Sequence, residues 1–311
     1  MGELELGNIV TVFGEPNVQV RRTVADSLRH HGYRNIRDTD QVEEIRTAIE
    51  RGLIDVLICD IDLGGTDLCD FIRRIRHDEI GLNPYMVTIA LTNSLEPSVI
   101  RRIIDSGADD IVTKPLSMNA LVERLDRLAS KRKGFIVTTD YIGPDRRREA
   151  RPGTQEIPVL DVPNPIQLRA LGEDAEVVLH QAIEATNRIV NEQKMERHAY
   201  QISYLVDRIV PRCRKGMLDE ETLKLVNRIV SVAEDLVRRM AGTERAHVSD
   251  LGGSIIEVAS AINGSPMLPR RRDVRLLAEL GPAIKQAFSA DERTIAAVHD
   301  ISTSLEQRSR T

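Results

Sequence analysis

Three residues of this chain have side chains suited to handling a transferred group, and each follows an apolar run. Asp60 ends the run Ile54–Cys59, within Ile-Asp-Val-Leu-Ile-Cys-Asp-Ile-Asp-Leu-Gly-Gly-Thr-Asp; Thr92 follows Met86–Leu91; Lys114 follows Asp110–Val112 and precedes Pro115. A carboxylate at the end of a buried strand can act as a nucleophile or phosphoryl acceptor. A hydroxyl and an ammonium can each hold an oxygen of the transferred phosphoryl group. Alone, Asp60 reads equally well as a surface-loop acid after a strand. The case rests on an acid, a hydroxyl and a cation standing at three strand ends of one sheet.

Such a sheet is what the first 131 residues predict. Apolar runs at Ile9–Phe13, around Ile36, at Ile54–Cys59, Met86–Leu91 and Asp110–Val112 read as strands. Between them lie helical stripes: Asn17–His31 closed by Gly32, Gln41–Arg51 closed by Gly52, Leu68–Arg76, Pro97–Ser106 closed by Gly107, and Ser117–Ser130. The alternation βαβαβαβαβα predicts an α/β fold, a doubly wound five-stranded parallel sheet with helices on both faces. Ligands of such sheets sit at the carboxyl ends of the strands. The pair Gly64-Gly65 lets the chain turn tightly after the third strand.

With these residues in place, about residues 7–131 resemble the receiver (CheY-like) domain of two-component response regulators. Asp60-Ile-Asp-Leu-Gly-Gly-Thr-Asp67 is similar to that family's phosphoacceptor loop, and Leu91-Thr92 to its switch-threonine site. Gly107-Ala-Asp-Asp-Ile-Val-Thr-Lys-Pro115 is similar to the segment supplying its lysine and the following proline, usually a cis peptide. The resemblance implies that Asp60 accepts a phosphoryl group from a histidine kinase, with Thr92 and Lys114 engaging it.

Two departures bear on that implication. The family's paired acids after the first strand hold Mg²⁺; here Phe13 and Gly14 align with them, and Glu15 follows one place later. Mg²⁺ requires hard oxygen ligands in near-octahedral geometry, so binding is expected to be severely weakened, with Glu15, Asp62 and Asp60 the remaining ligand set. Position 111, commonly Tyr or Phe in the family and part of its switch, is Ile111. A degenerate receiver follows, one that serves as a docking surface or responds to something other than phosphate.

Residues 132–167 have the composition of a Pro/Arg-rich linker, with Pro152, Pro158, Pro163, Pro165 and the run Arg146–Arg148. The arginines read as a solvated tether, and Phe135, Ile136, Val137 and Tyr141 are candidates to fold back onto the receiver. Residues 168–311 read as an all-α domain. Gly172–Arg214 predicts one helix of roughly forty residues ended by Pro211 and Gly216, unusually long for a globular domain. Asp219 is the expected N-cap of a helix whose seam is Leu223, Val226, Val230, Ala233, Val237 and Met240. A further helix runs through Val248, Leu251, Ile255, Val258 and Ile262, with Gly252-Gly253 permitting close approach. Asp273–Phe288, kinked at Gly281-Pro282, and Asp291–Gln307 complete the pattern. The seams fit a self-contained bundle or a homodimer equally.

Bulk properties narrow the function. A net charge of −5 carries no global nucleic-acid signature. Three cysteines (Cys59, Cys69, Cys213) without metal or disulfide spacing, no apolar run long enough for a bilayer and no signal-peptide pattern predict a cytoplasmic protein. His180, His198, His247 and His299 stand in no phosphotransfer motif, and Arg270–Arg272 with Arg275 belong to no helix-turn-helix. No enzyme is predicted. The expected function is a signalling adaptor, an atypical receiver coupled to a helical protein-interaction output. The alternative is a conventional response regulator phosphorylated on Asp60, with the helical domain under phosphate control. A DNA-binding regulator using the arginine clusters and a phosphatase acting on another receiver are weaker readings.

Overall fold

The computed structural model describes residues 5–147, 157–170, 175–216 and 218–289. The chain divides into two compact units, Met1–Arg188 and Ile189–Thr311.

The first unit opens with β1 (Val10–Gly14), α1 (Val18–His30), β2 (Asn35–Thr39), α2 (Val42–Arg51), β3 (Val56–Asp60), α3 (Leu68–Arg76), β4 (Val87–Thr92), α4 (Pro97–Asp105), β5 (Asp110–Thr113) and α5 (Met118–Ser130). All five strands are parallel, in the order β2-β1-β3-β4-β5. Every residue of β3 and β4 is buried, as expected of strands covered on both faces, whereas only Thr39 is buried in the edge strand β2. Val12, Leu57 and Cys59 face one helical layer with Ile45, Ile49 and Ile72. Phe13, Ile58 and Ile89 face the other with Val24, Leu28 and Leu125. Local chemistry marks the helix starts: Asn17 accepts from the Gln19 and Val20 amides, Asp67 from the Cys69 amide and Ser117 from the Ala120 amide.

The segment read as a linker is different in the structure. Its described part forms β6 (Phe135–Val137), β7 (Ile142–Pro144) and β8 (Val159–Leu160), an antiparallel sheet in the order β7-β6-β8, followed by α6 (Pro165–Arg169). Phe135, Ile136, Val137 and Ile142 are buried. The arginines here are bonded to the protein. Arg132 donates to both carboxylate oxygens of Asp109 and to the carbonyls of Tyr85, Met86 and Pro163; Arg146 donates to the carbonyls of Ala108 and Asp109. Arg76 reaches the same Asp109, and Arg76 and Arg132 both lie against the Phe135 ring, at 5.2 and 4.9 Å. Burial alone would push Asp109 up, but the two guanidiniums hold its carboxyl below the usual carboxylate range. Asn164 donates to the carbonyls of Leu128 and Ala129, groups that the end of α5 would otherwise leave unpaired. Arg148 and residues 149–156 lie outside the described residues.

A long helix, α7 (Ala175–Cys213), contributes to both units; it continues through Pro211 into its last turn, so Pro211 does not end it as composition predicts. A proline so close to the carboxyl end interrupts little of the hydrogen-bond ladder. The second unit continues with α8 (Glu220–Met240), α9 (Ser249–Asn263) and α10 (Arg271–Ser289). Asp219 caps α8 by accepting from the Thr222 amide at 2.7 Å. The predicted seam is wider in fact: Ile229, Val232 and Leu236 are buried beside Val226, Ala233 and Met240, while Leu223, Val230 and Val237 pack at the margin. These positions meet Ile202, Ile209, Ile255, Ile262, Leu277 and Ile284 within the same unit. A Cβ on Gly252 would lie 2.5 Å from Val237 Cγ2, so that glycine lets α8 and α9 touch; Gly253 faces open space. The proposed helix Asp291–Gln307 and His299 lie outside the described residues. None of the described helices is long and apolar enough to cross a membrane.

Candidate phosphoacceptor site

Doubly wound sheets bind ligands where the strand order reverses. Here that point lies between β1 and β3, and the first residue past each strand's paired run decides what is there. Gly14 pairs with Cys59, so Glu15 and Asp60 stand next to one another at the carboxyl edge. Both are buried, at 1% and 3% exposure. Thr92 ends β4 in the neighbouring register, and the Lys114 amide donates to the Thr92 carbonyl at 2.9 Å. The Lys114–Pro115 peptide is cis.

The three residues singled out in the sequence therefore share one rim, and Glu15 joins them. Lys114 Nζ donates to Asp60 Oδ2 and lies 2.6 Å from Glu15 Oε2. Asp60 Oδ1 accepts from the Asp62 amide at 2.8 Å, and Glu15 Oε1 from the Asn17 amide at 2.9 Å. Thr92 Oγ1 accepts from the Ser94 amide at 3.0 Å, which orients the hydroxyl at the head of the next loop. Partial burial would lower the Lys114 pKa, but the hydrogen bonds to Asp60 and Glu15, then their charges, hold it above the ordinary lysine value. The ammonium is a fixed cation bridging two carboxylates.

The metal question turns on what occupies the acidic positions. Phe13 is fully buried in the core beneath the sheet. A Cβ on Gly14 would fall 2.7 Å from Ile45 Cδ1 and 2.9 Å from Leu63 Cδ2, so apolar side chains fill the space an acid would need. Of the expected ligand set, the structure brings Glu15 and Asp60 together, but the Asp62 side chain is exposed and only its backbone amide reaches the site. Among the described residues no group of three or more His, Cys, Asp or Glu side chains is gathered to hold a metal ion. Glu15 and Asp60 are the two carboxylates in the pocket, and the Lys114 ammonium lies between them.

Ile111 packs against a small cluster made by Ile61, Cys69, Ala90, Ile103 and Ala108. Its branched side chain is held by contacts and has no ring to swing. By residue types Glu15 stands one position past the acidic pair, and the parallel register of β1 and β3 is what brings it beside Asp60. His198 stands in no motif that marks it for burial. It is buried, its Nε2 2.7 Å from Asp235 Oδ2 between α7 and α8. Burial lowers its pKa despite the Asp235 bond.

Comparison with known proteins places the rim in context. The family model for the response regulator receiver domain matches residues 15–126, and no family model matches the carboxyl-terminal half. The virulence transcriptional regulatory protein PhoP of Salmonella typhi is 31% identical over 124 residues, 38% of this chain and 54% of that protein. The transcriptional regulatory protein TrcR of Mycobacterium tuberculosis is 41% identical over 73 residues, 23% of this chain and 26% of that protein. The chain thus spans about half or less of the length of these relatives. A response regulator from Thermotoga maritima superposes with a TM-score of 0.34 at 22% identity, over 39% of this chain and 97% of that one. Residues 15–126 of this chain are a response regulator receiver domain.

Proposed function

We propose that the chain is a signalling adaptor in which an atypical receiver domain is coupled to a helical protein-interaction unit. The observation that carries this reading is the Glu15–Lys114–Asp60 bridge beside an apolar plug at Gly14. Phosphoryl transfer to a carboxylate needs a cation to neutralise the charge developing on the phosphoryl oxygens. In this pocket the Lys114 ammonium lies between Asp60 and Glu15, so two carboxylates already engage it. Ile111 offers no aromatic rotation to relay an event at Thr92. The receiver fold then serves chiefly as a surface for a histidine kinase or another signalling protein.

The gathering of Asp60, Thr92 and Lys114 on one rim favours a second reading, a regulator phosphorylated on Asp60 by a histidine kinase with the helical unit as its phosphate-controlled output. Acetyl phosphate with Mg²⁺, followed by intact-mass measurement of wild type and Asp60→Asn, separates the two. The adaptor reading expects no adduct on either protein. A stoichiometric phosphoryl adduct on wild type alone would establish the second reading.

A further inference from the structure

One end of the second unit combines two surface features that the receiver chemistry does not use. The turn between α9 and α10 presents Met267 and Leu268 at 70% and 78% exposure, the most exposed large apolar residues among the described residues of this unit. They sit in the stretch Pro266-Met-Leu-Pro269, followed directly by Arg270, Arg271 and Arg272, all exposed. The Leu218 amide donates to the Pro266 carbonyl at 2.9 Å, tying this turn to the loop after α7. That loop carries Arg214 and Lys215. Arg214, Lys215, Arg270 and Arg271 make no side-chain hydrogen bond or ion pair among the described residues. The fold gains nothing from cations in the first turn of α10, where the helix dipole disfavours them. The acids beside this turn are engaged by the fold: Asp219 caps α8, Glu220 pairs with Lys224, and Glu221 pairs with Arg208 and Arg212.

We propose that this end of the helical unit docks on an anionic lipid bilayer, with Met267 and Leu268 entering the interface and the arginines meeting lipid phosphates. An apolar tip flanked by cations that the described residues leave without ion-pair partners gains both from burying apolar area and from attraction to anionic headgroups. Two prolines restrict the backbone of the tip, so little conformational freedom is lost on insertion. A protein partner would have to supply a concave apolar pocket inside an acidic rim; a bilayer interface accepts any protruding apolar tip. The inference is independent of whether Asp60 is phosphorylated.

The chain contains no Trp, so Leu268→Trp gives a single-site fluorescence reporter in the full-length protein. Vesicles of phosphatidylglycerol mixed with phosphatidylcholine are expected to shift its emission to the blue and to co-sediment wild type, and pure phosphatidylcholine to do neither. The double variants Arg270→Gln/Arg271→Gln and Met267→Ser/Leu268→Ser, checked for unchanged circular dichroism and melting, should each weaken partitioning about tenfold. Absence of the shift, or binding that neither double variant weakens, would overturn the proposal. So would binding to polyglutamate or DNA without binding to the vesicles, which would assign the patch to a soluble polyanion.

Discussion

Lys114 Nζ lies 2.6 Å from Glu15 Oε2 while also donating to Asp60, so one ammonium serves two buried carboxylates on adjacent strands. Removing it strands both acids. Lys114→Met is expected to destabilise the receiver by about 2 kcal/mol or more, because a buried charge left without its partner costs more than the pair returns. Adding Glu15→Gln should recover part of that loss, a non-additivity readable from denaturant midpoints of the four proteins in a double-mutant cycle. Equal and additive losses would show that the two side chains do not interact.

Gly14 makes a second prediction, about restoring an acid rather than removing one. Gly14→Asp recreates the missing carboxylate in sequence, but its Cβ would meet Ile45 and Leu63 at under 3 Å. The expected result is a loss of about 1–3 kcal/mol from overpacking and no gain in melting temperature on adding MgCl₂. A magnesium-dependent rise in the melting temperature of this variant would show that the apolar plug yields.

Asp55 sets a pH dependence. It lies fully buried at the start of β3, where its carboxylate accepts from the Val10 amide and from Arg169 of α6. Burial, against those bonds, pushes its pKa up from 3.8 to about 6. A raised carboxyl favours the folded state below its unfolded pKa and loses that contribution as pH rises through the folded one. Stability of the first unit should therefore fall between about pH 4 and pH 6, by at most about 3 kcal/mol from this group. The difference in unfolding free energy between wild type and Asp55→Asn, followed from pH 4 to 7, should carry this slope; a difference constant with pH would refute it.

Phe135 is fully buried between Arg76 and Arg132. Phe135→Ala should cost about 3–5 kcal/mol, as for other large-to-small changes at buried aromatic sites. It should also free the following strands to proteolysis, which time-resolved mass mapping would detect. Destabilisation without new cleavage between residues 132 and 147 would mean the small sheet holds on without its anchor.

The parallel sheet, its helices and the rim of Asp60, Thr92 and Lys114 were legible because the central strands β3 and β4 are near-continuous apolar runs that Asp60 and Thr92 end, and Lys114 stands two residues past the apolar pair of β5. The start of α8 was legible from its capping residue, Asp219. The segment after α5 was misread because arginine and proline look alike in a tether and in a strand whose charges are satisfied from elsewhere. Arg132 finds its carboxylate at Asp109, 23 residues earlier, and no local pattern encodes that pairing. The burial of His198 escaped notice likewise, since its partner Asp235 lies on another helix. The role of Glu15 depended on strand register, which residue types alone do not give.

A tight backbone approach in the first unit bears on where the receiver stops. Gly107 and Gly143 meet so tightly that a Cβ on the first would fall 2.4 Å from the Ile142 carbonyl oxygen, and one on the second 2.7 Å from the Gly107 Cα. Two chain segments that meet without room for a methyl group must have been shaped to each other. A truncation after Lys131 would leave Arg76 and Asp109 wet and the Phe135 socket vacant. The smallest piece expected to stand by itself extends at least to Arg169, and a receiver borrowed from another protein, with an ordinary side chain at position 107, would not seat this sheet.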